Sequence, residues 1–279
     1  METLDHFPEY LYEQYTKFRK DVPSMIKSHH FTENIINFLF PFKIDRKCTL
    51  PQVELNMVQL QIDFKDLIGA LEGTIKQTVN DLTLAFFNKI PDIYRNLIND
   101  AKHFLDFDPA AHTVESVVLY YPGFYAITVY RLAHELYLLK VPFLPRMMSE
   151  YSHSKTGIDI HPGAEIGESF FIDHGTGIVI GETTNIGNNV KIYQGVTLGA
   201  AYVEKSMRGK KRHPTIEDNV IIYSGSTILG GDTVVGHDTI VGGNVWLTKS
   251  VPPYSIVYHE SKAMVRDSKI KQLPINFVI

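Results

Sequence analysis

The chain has one cysteine, Cys48, in 279 residues, so no disulfide can form within it. It has no run of about 18 apolar residues, which excludes a membrane-spanning helix. Positive charge is not in excess: 27 Lys and Arg stand against 31 Asp and Glu, a net charge of −4. No basic field therefore exists to hold nucleic acid or an anionic membrane. The first ten residues carry Glu2, Asp5 and Glu9 around no apolar core, so no signal peptide is expected and the cytoplasm is the default compartment. Twelve histidines are present, but none form an H-x-x-x-H pair. Zinc needs three or four converging ligands, and no metal site is expected.

What is present is a beat of six. Ile160, Ile166, Ile172 and Ile178 fall on it, then, after a slip of two, Ile180, Ile186, Ile192 and Leu198. It returns with Ile216, Ile222, Ile228, Val234, Ile240 and Trp246. Six matches neither the 3.6-residue helix nor the 2.0-residue strand. It fits a β-helix, a prism whose short flat sides each take one step, with the aliphatic residue pointing inward and three steps per turn. Such thin rods bury little alone and associate through their lateral faces, most simply with closed symmetry. The prolines Pro252 and Pro253 should end the rod.

Residues 1–150 read as an α-helical domain. Leu4, Phe7, Leu11, Tyr15 and Phe18 form an amphipathic stripe. Pro41 closes a second apolar run, and Pro51 suits the first turn of a third helix. Pro91 suggests a break between two helices, and Asp108-Pro109-Ala110 another. Two more helical segments follow, 114–121 and 124–139, and Pro142 and Pro145 bracket a short link. The rings of Tyr121 and Tyr137 and the imidazole of His134 are expected in the core or a subunit contact. The expected architecture is thus α+β: a helical oligomerisation domain at 1–150, a β-helix at 151–253 and a polar tail at 254–279 that ends in apolar residues.

The chemistry is expected where the beat fails. At the slip, Asp173 and His174 occupy a lengthened side, and Asp159 lies about one turn earlier. An Asp beside a His fixes the imidazole tautomer, as a general base requires. The residues alone equally allow a surface histidine in a bulge. The second failure, 200–215, reads as an extruded loop rich in Arg and Lys, with Arg212-His213-Pro214 where it rejoins the rod. Arginine there could clamp a carboxylate or a phosphate.

These residues carry a family resemblance. Asp159-Ile160-His161-Pro162, Asp173-His174-Gly175-Thr176-Gly177-Ile178-Val179-Ile180-Gly181-Glu182-Thr183, Gln194 to Gly199, Arg212-His213-Pro214 and Asp108-Pro109-Ala110 together resemble the serine O-acetyltransferases, hexapeptide-repeat acyltransferases of cysteine biosynthesis. The match spans roughly 108–253. The resemblance implies a left-handed β-helix, a homotrimer or dimer of trimers, active sites between rods, and acetyl-CoA and L-serine as substrates. It implies His174 as base, steered by Asp159. Arg212 and His213 would hold the serine carboxylate, and Asp108 and Asp173 its ammonium. Gly199, Ser224 and Gly242 would line the pantetheine path. L-cysteine is implied as a feedback inhibitor. A terminal isoleucine, here Ile279, implies a contact with O-acetylserine sulfhydrylase (cysteine synthase). There are departures: Tyr258 to Met264 replaces the family's small-residue Gly-x-Pro-Ala segment, Ala200 replaces a glycine usual after Gly199, and the first 100 residues resemble the family only in helical layout. An acetyltransferase for a sugar or another alcohol, or a non-catalytic scaffold, are the alternatives.

Overall fold

The computed structural model describes residues 4–18, 21–44, 48–202, 204 and 209–260. Seven α-helices precede fourteen short strands among them: α1 (Phe7–Lys17), α2 (Met25–Leu39), α3 (Leu50–Gly69), α4 (Val79–Phe107), α5 (Val114–Tyr120), α6 (Pro122–Leu138) and α7 (Leu144–Thr156). No helix among the described residues is long and apolar enough to cross a membrane.

The helices show their sequence causes. Thr49 and Gln52 form a reciprocal capping box at the start of α3, with Pro51 in its first turn. Two expectations fail here. Pro91 does not divide α4, which runs unbroken through it, because Phe86, Phe87, Ile90, Ile93 and Leu97 bury one continuous face around the missing N–H. The short link between α6 and α7 contains Pro142 but not Pro145, which lies in the first turn of α7, and Gly157 closes that helix in the left-handed conformation. The stripe of α1 stays exposed: none of its residues is buried.

The strands are β1 (Asp159–Ile160), β2 (Glu165–Ile166), β3 (Phe171–Asp173), β4 (Val179–Ile180), β5 (Asn185–Ile186), β6 (Lys191–Tyr193), β7 (Thr197–Gly199), β8 (Thr215–Ile216), β9 (Ile221–Ile222), β10 (Thr227–Leu229), β11 (Val234–Val235), β12 (Ile240–Val241), β13 (Trp246–Leu247) and β14 (Ile256–Val257). They stack as three parallel sheets, β1-β4-β7-β10-β13, β2-β5-β8-β11 and β3-β6-β9-β12-β14. The period of six is a two-residue strand plus a four-residue corner. Identical aliphatics stack in register, Ile172 on Ile192 on Ile222 and Ile160 on Ile180 on Leu198. Each buried Ile or Leu contributes about 1.5–3 kcal/mol. The rod is the left-handed parallel β-helix of its structural neighbours.

The beat slips by one after Ile228. Val235 and Val241 are the buried residues, whereas Trp246 is 68% exposed and Leu247 stacks on Ile228. The expected inward set Val234, Ile240 and Trp246 is therefore wrong by one residue. The turn Gly230-Gly231-Asp232-Thr233 absorbs the extra residue, with Gly230 at φ +103°, a conformation open to glycine. The ladder also passes Pro252 and Pro253, since β14 pairs with β12. A buried ion pair anchors the helices to the rod. Arg131 donates to both oxygens of Asp100 at 2.5 and 2.7 Å and to the Gly167 carbonyl at 2.9 Å. The Phe170 N–H completes the Asp100 shell at 3.0 Å.

Candidate active site

The first irregular corner joins β3 to β4 and is two residues longer than the corner joining β6 to β7. His174 takes φ +56°, which turns its ring outward, and its side chain is 70% exposed. Its Nδ1 lies 3.6 Å from Asp173 Oδ1. Gly175 packs against Ile158, the neighbour of Asp159, so His174 and Asp159 flank one contact. They do not pair directly in the single chain. The Asp159 carboxylate instead faces Arg146 at 3.8 Å.

Asp108 ends α4 above this corner. Its Oδ1 accepts from the Ala110 N–H at 2.8 Å, and its Oδ2 accepts from the Tyr121 hydroxyl at 2.6 Å. The Tyr121 phenol is pushed up to about 12, by burial first, then by its bond to Asp108 and the charges of Asp108 and Asp173. Tyr193 is raised in the same way, by burial, by Tyr223 and by both aspartates. Asp108 and Asp173 thus converge beside His174, and among the described residues neither pairs with a lysine or arginine. Two carboxylates without a permanent cation suit an ammonium group.

The second irregular corner lies between β7 and β8, where the loop returns. Thr183 is its latch. The Thr183 hydroxyl accepts from the Arg212 and His213 N–H groups at 3.0 and 3.2 Å, and the Thr183 N–H donates to His213 Nδ1 at 3.0 Å. Because Nδ1 accepts, the imidazole hydrogen sits on Nε2. Burial, then the Arg212 charge, push His213 down to about 4, so it stays neutral near pH 7. Its ring lies flat against Gly181, where any Cβ would overlap it.

Arg212 Nη2 donates to Glu182 Oε2 at 2.5 Å, and Tyr137 donates to the other Glu182 oxygen at 3.2 Å. Burial is the largest single influence and raises the Glu182 carboxyl, but the Arg212 bond, the charges of His161 and Arg212 and the Tyr137 bond together hold the group below its ordinary value. Arg212 Nη1 is buried and has no hydrogen-bond partner among the described residues. A buried unpaired donor is disfavoured by about 1–3 kcal/mol, which an incoming carboxylate would recover.

The proposed cofactor residues divide between the same two corners. Gly199 accepts from the Gly230 N–H on the Arg212 side, whereas Ser224 accepts from the Asn244 N–H and Gly242 accepts from Ser226 Oγ on the His174 side. Within one rod neither set is brought together. Tyr121, Tyr193, Tyr137, Glu182 and Thr183 are additions to the residues expected. Glu182-Thr183 stood inside the quoted motif, but nothing in the one-dimensional pattern tied them to Arg212. Ile279 lies outside the described residues.

A family model for the N-terminal part of serine acetyltransferases matches residues 70–129. The plasmid serine acetyltransferase of Synechococcus elongatus is 49% identical over 207 residues, 72% of this chain and 64% of that protein. The serine acetyltransferase of Bacillus subtilis is 44% identical over 65% of this chain and 85% of its own length. Among solved structures, Entamoeba histolytica serine acetyltransferase 1 in complex with L-cysteine has a TM-score of 0.74 at 35% identity, over 89% of this chain and 95% of that one. Isoform 3 from the same organism, in complex with cysteine, has a TM-score of 0.76 at 31% identity, over 94% of both chains. At these identities, over most of this chain and of its relatives, the chain belongs to the serine acetyltransferase family.

Proposed function

We propose that the chain, in the cytoplasm, transfers acetyl from acetyl-CoA to the hydroxyl of L-serine, with its two corners acting across a boundary between rods. The observation that carries this is the split of complementary charge. Arg212 keeps one buried donor free at one corner. Asp108 and Asp173 stand without a lysine or arginine partner among the described residues at the other. A zwitterion needs both, and a threefold arrangement that brings one rod's Arg212 corner against its neighbour's His174 corner supplies them. The homotrimer is then the smallest complete unit. Pairing of two trimers through the helical domain would leave those sites unchanged.

In the proposed step, Arg212 and His213 Nε2–H hold the serine carboxylate, and Asp108 and Asp173 hold its ammonium. His174 takes the hydroxyl proton, and Asp159 favours the imidazolium that results. The serine oxygen bonds to the thioester carbonyl carbon. The carbon–sulfur bond breaks, and the sulfur takes the proton from His174 and leaves as the coenzyme A thiol. Gly199, Ser224 and Gly242 would line the pantetheine path. L-cysteine presents the same zwitterion with sulfur in place of oxygen and would compete for the site. Ile279 would engage O-acetylserine sulfhydrylase. A sugar acceptor would leave Arg212 and both aspartates unpaired.

The test is thiol release from acetyl-CoA with L-serine and a panel of sugars. Serine-dependent release should fall by about 10²- to 10⁴-fold in His174→Ala. Acetylation of sugars but not serine would overturn the reading.

A further inference from the structure

We propose that the chain carries a second small-molecule site, a slot for a free α-amino acid between the C-terminal end of α4 and the outer face of β6. A cavity of about 390 Å³ lies there, lined by His103, Asp106 and Phe107 from the helix and by Asn189, Lys191 and Asn219 from the rod. It is separate from the acceptor residues on the same sheet: Lys191 stands two positions before Tyr193 on β6, and Asp106 two positions before Asp108.

Three groups on its walls have polar atoms without a hydrogen-bond or ion-pair partner among the described residues. The Lys191 ammonium lies over the Phe107 ring and pairs with no carboxylate among the described residues. Burial alone acts on it, lowering its affinity for a proton. Asp106, on the helix side, makes no hydrogen bond or ion pair among the described residues, although its charge reaches His103. His103 is 7% exposed, and its Nε2 has no hydrogen-bond partner.

The sign pattern selects the ligand. A simple anion drawn to Lys191 would face Asp106 across the same cavity, and a simple cation drawn to Asp106 would face Lys191. A zwitterion satisfies both, with its carboxylate on Lys191 and its ammonium on Asp106. Ile221 and the part of the Phe107 ring not covered by Lys191 and His103 are left for an apolar side chain. An occupant bridging helix and rod would fix Asp108 relative to Tyr193, so occupancy should alter serine affinity. That consequence rests on the acceptor site proposed above; the binding itself does not.

The probes are the twenty common L-amino acids at up to about 10 mM, tested by calorimetric titration of the full-length protein, for L-serine and L-cysteine as a second binding event. At least one should bind wild type and lose about fivefold or more in affinity in both Lys191→Met and Asp106→Asn. Its des-amino acid and its decarboxylated amine should each bind wild type about fivefold or more weakly than the parent. Both variants should keep the wild-type melting temperature and, without probe, serine kinetics within about twofold. The proposal is overturned if no amino acid shows binding that depends on both Lys191 and Asp106. It is equally overturned if the des-amino acid binds as well as the parent. If serine acetylation were absent, the titration would still decide the matter, so the two failures are distinguishable.

Discussion

Removing the Arg212 guanidinium should convert an amino-acid site into one indifferent to the acceptor's carboxylate. In the structure one arm of Arg212 is committed to Glu182 at 2.5 Å, and the other is buried and unpaired. Truncating one partner of a buried, hydrogen-bonded charge pair costs about 2–5 kcal/mol. At about 1.4 kcal/mol per tenfold, Arg212→Met should lower kcat/KM for serine by roughly 30-fold to several thousand-fold. Arg212→Lys keeps the charge but not the fork and should fall at the lower end. The carboxylate is far from the reacting bonds, so its contact is made equally in the ground and transition states. The loss should therefore appear in the serine KM, with kcat and the acetyl-CoA KM within about twofold. The assay is initial-rate thiol release with L-serine and with L-serinamide, which lacks the carboxylate. Wild type should prefer serine by about the same factor that the substitution removes, and Arg212→Met should show almost no preference. An Arg212→Met enzyme that still prefers serine as strongly as wild type would refute the carboxylate assignment.

Three further expectations follow from individual contacts. Gly181→Ala places a methyl where the His213 ring lies, and should raise the serine KM by about tenfold or more at a cost of about 1–3 kcal/mol in stability. An unchanged KM would mean that His213 does not touch the acceptor. Arg131→Met leaves the Asp100 carboxylate buried without its partner, which costs about 3–5 kcal/mol, or about 6–20 °C in Tm. Thermal melts should show this, with partial recovery in Asp100→Asn/Arg131→Met. The third concerns pH. His103 and His213 are both pushed down to about 4, by burial first, from 6.5 in the unfolded chain. Below pH 6.5 the unfolded chain binds protons that the folded chain refuses. The stability they contribute is present above that pH and is lost as pH falls toward 4, by roughly 3 kcal/mol for each. Urea midpoints between pH 7.5 and 5 should fall, and His103→Leu should reduce that slope by about half.

The rod was legible because its signal is local and repeated: one inward aliphatic per six residues, stacked on the same residue type one coil away. The slip of two at His174 was legible for the same reason, as a fault in a regular pattern. The one-residue slip after Ile228 was not. Val234-Val235 and Ile240-Val241 are apolar pairs, so the pattern reads equally well in either frame until the Gly230-Gly231 turn sets it. Pro91 misled in a similar way, since a proline states a missing N–H but not whether a buried face on both sides outweighs it.

For the site, the faults in the beat pointed to Asp159, Asp173, His174, Arg212 and His213, and the family resemblance added Asp108. They said nothing of which side chains meet. That Thr183 latches the loop, that Glu182 takes one arm of Arg212, and that Tyr121 bridges toward two aspartates depend on contacts between residues 13 to 30 positions apart. Sequence periodicity cannot encode such pairings, because they arise where different coils and helices pack. The division of acceptor groups between two corners of the prism is likewise a property of three dimensions. The list of residues reads as one site, and only the folded rod shows Asp173 and His174 at one corner and Arg212 and His213 at another.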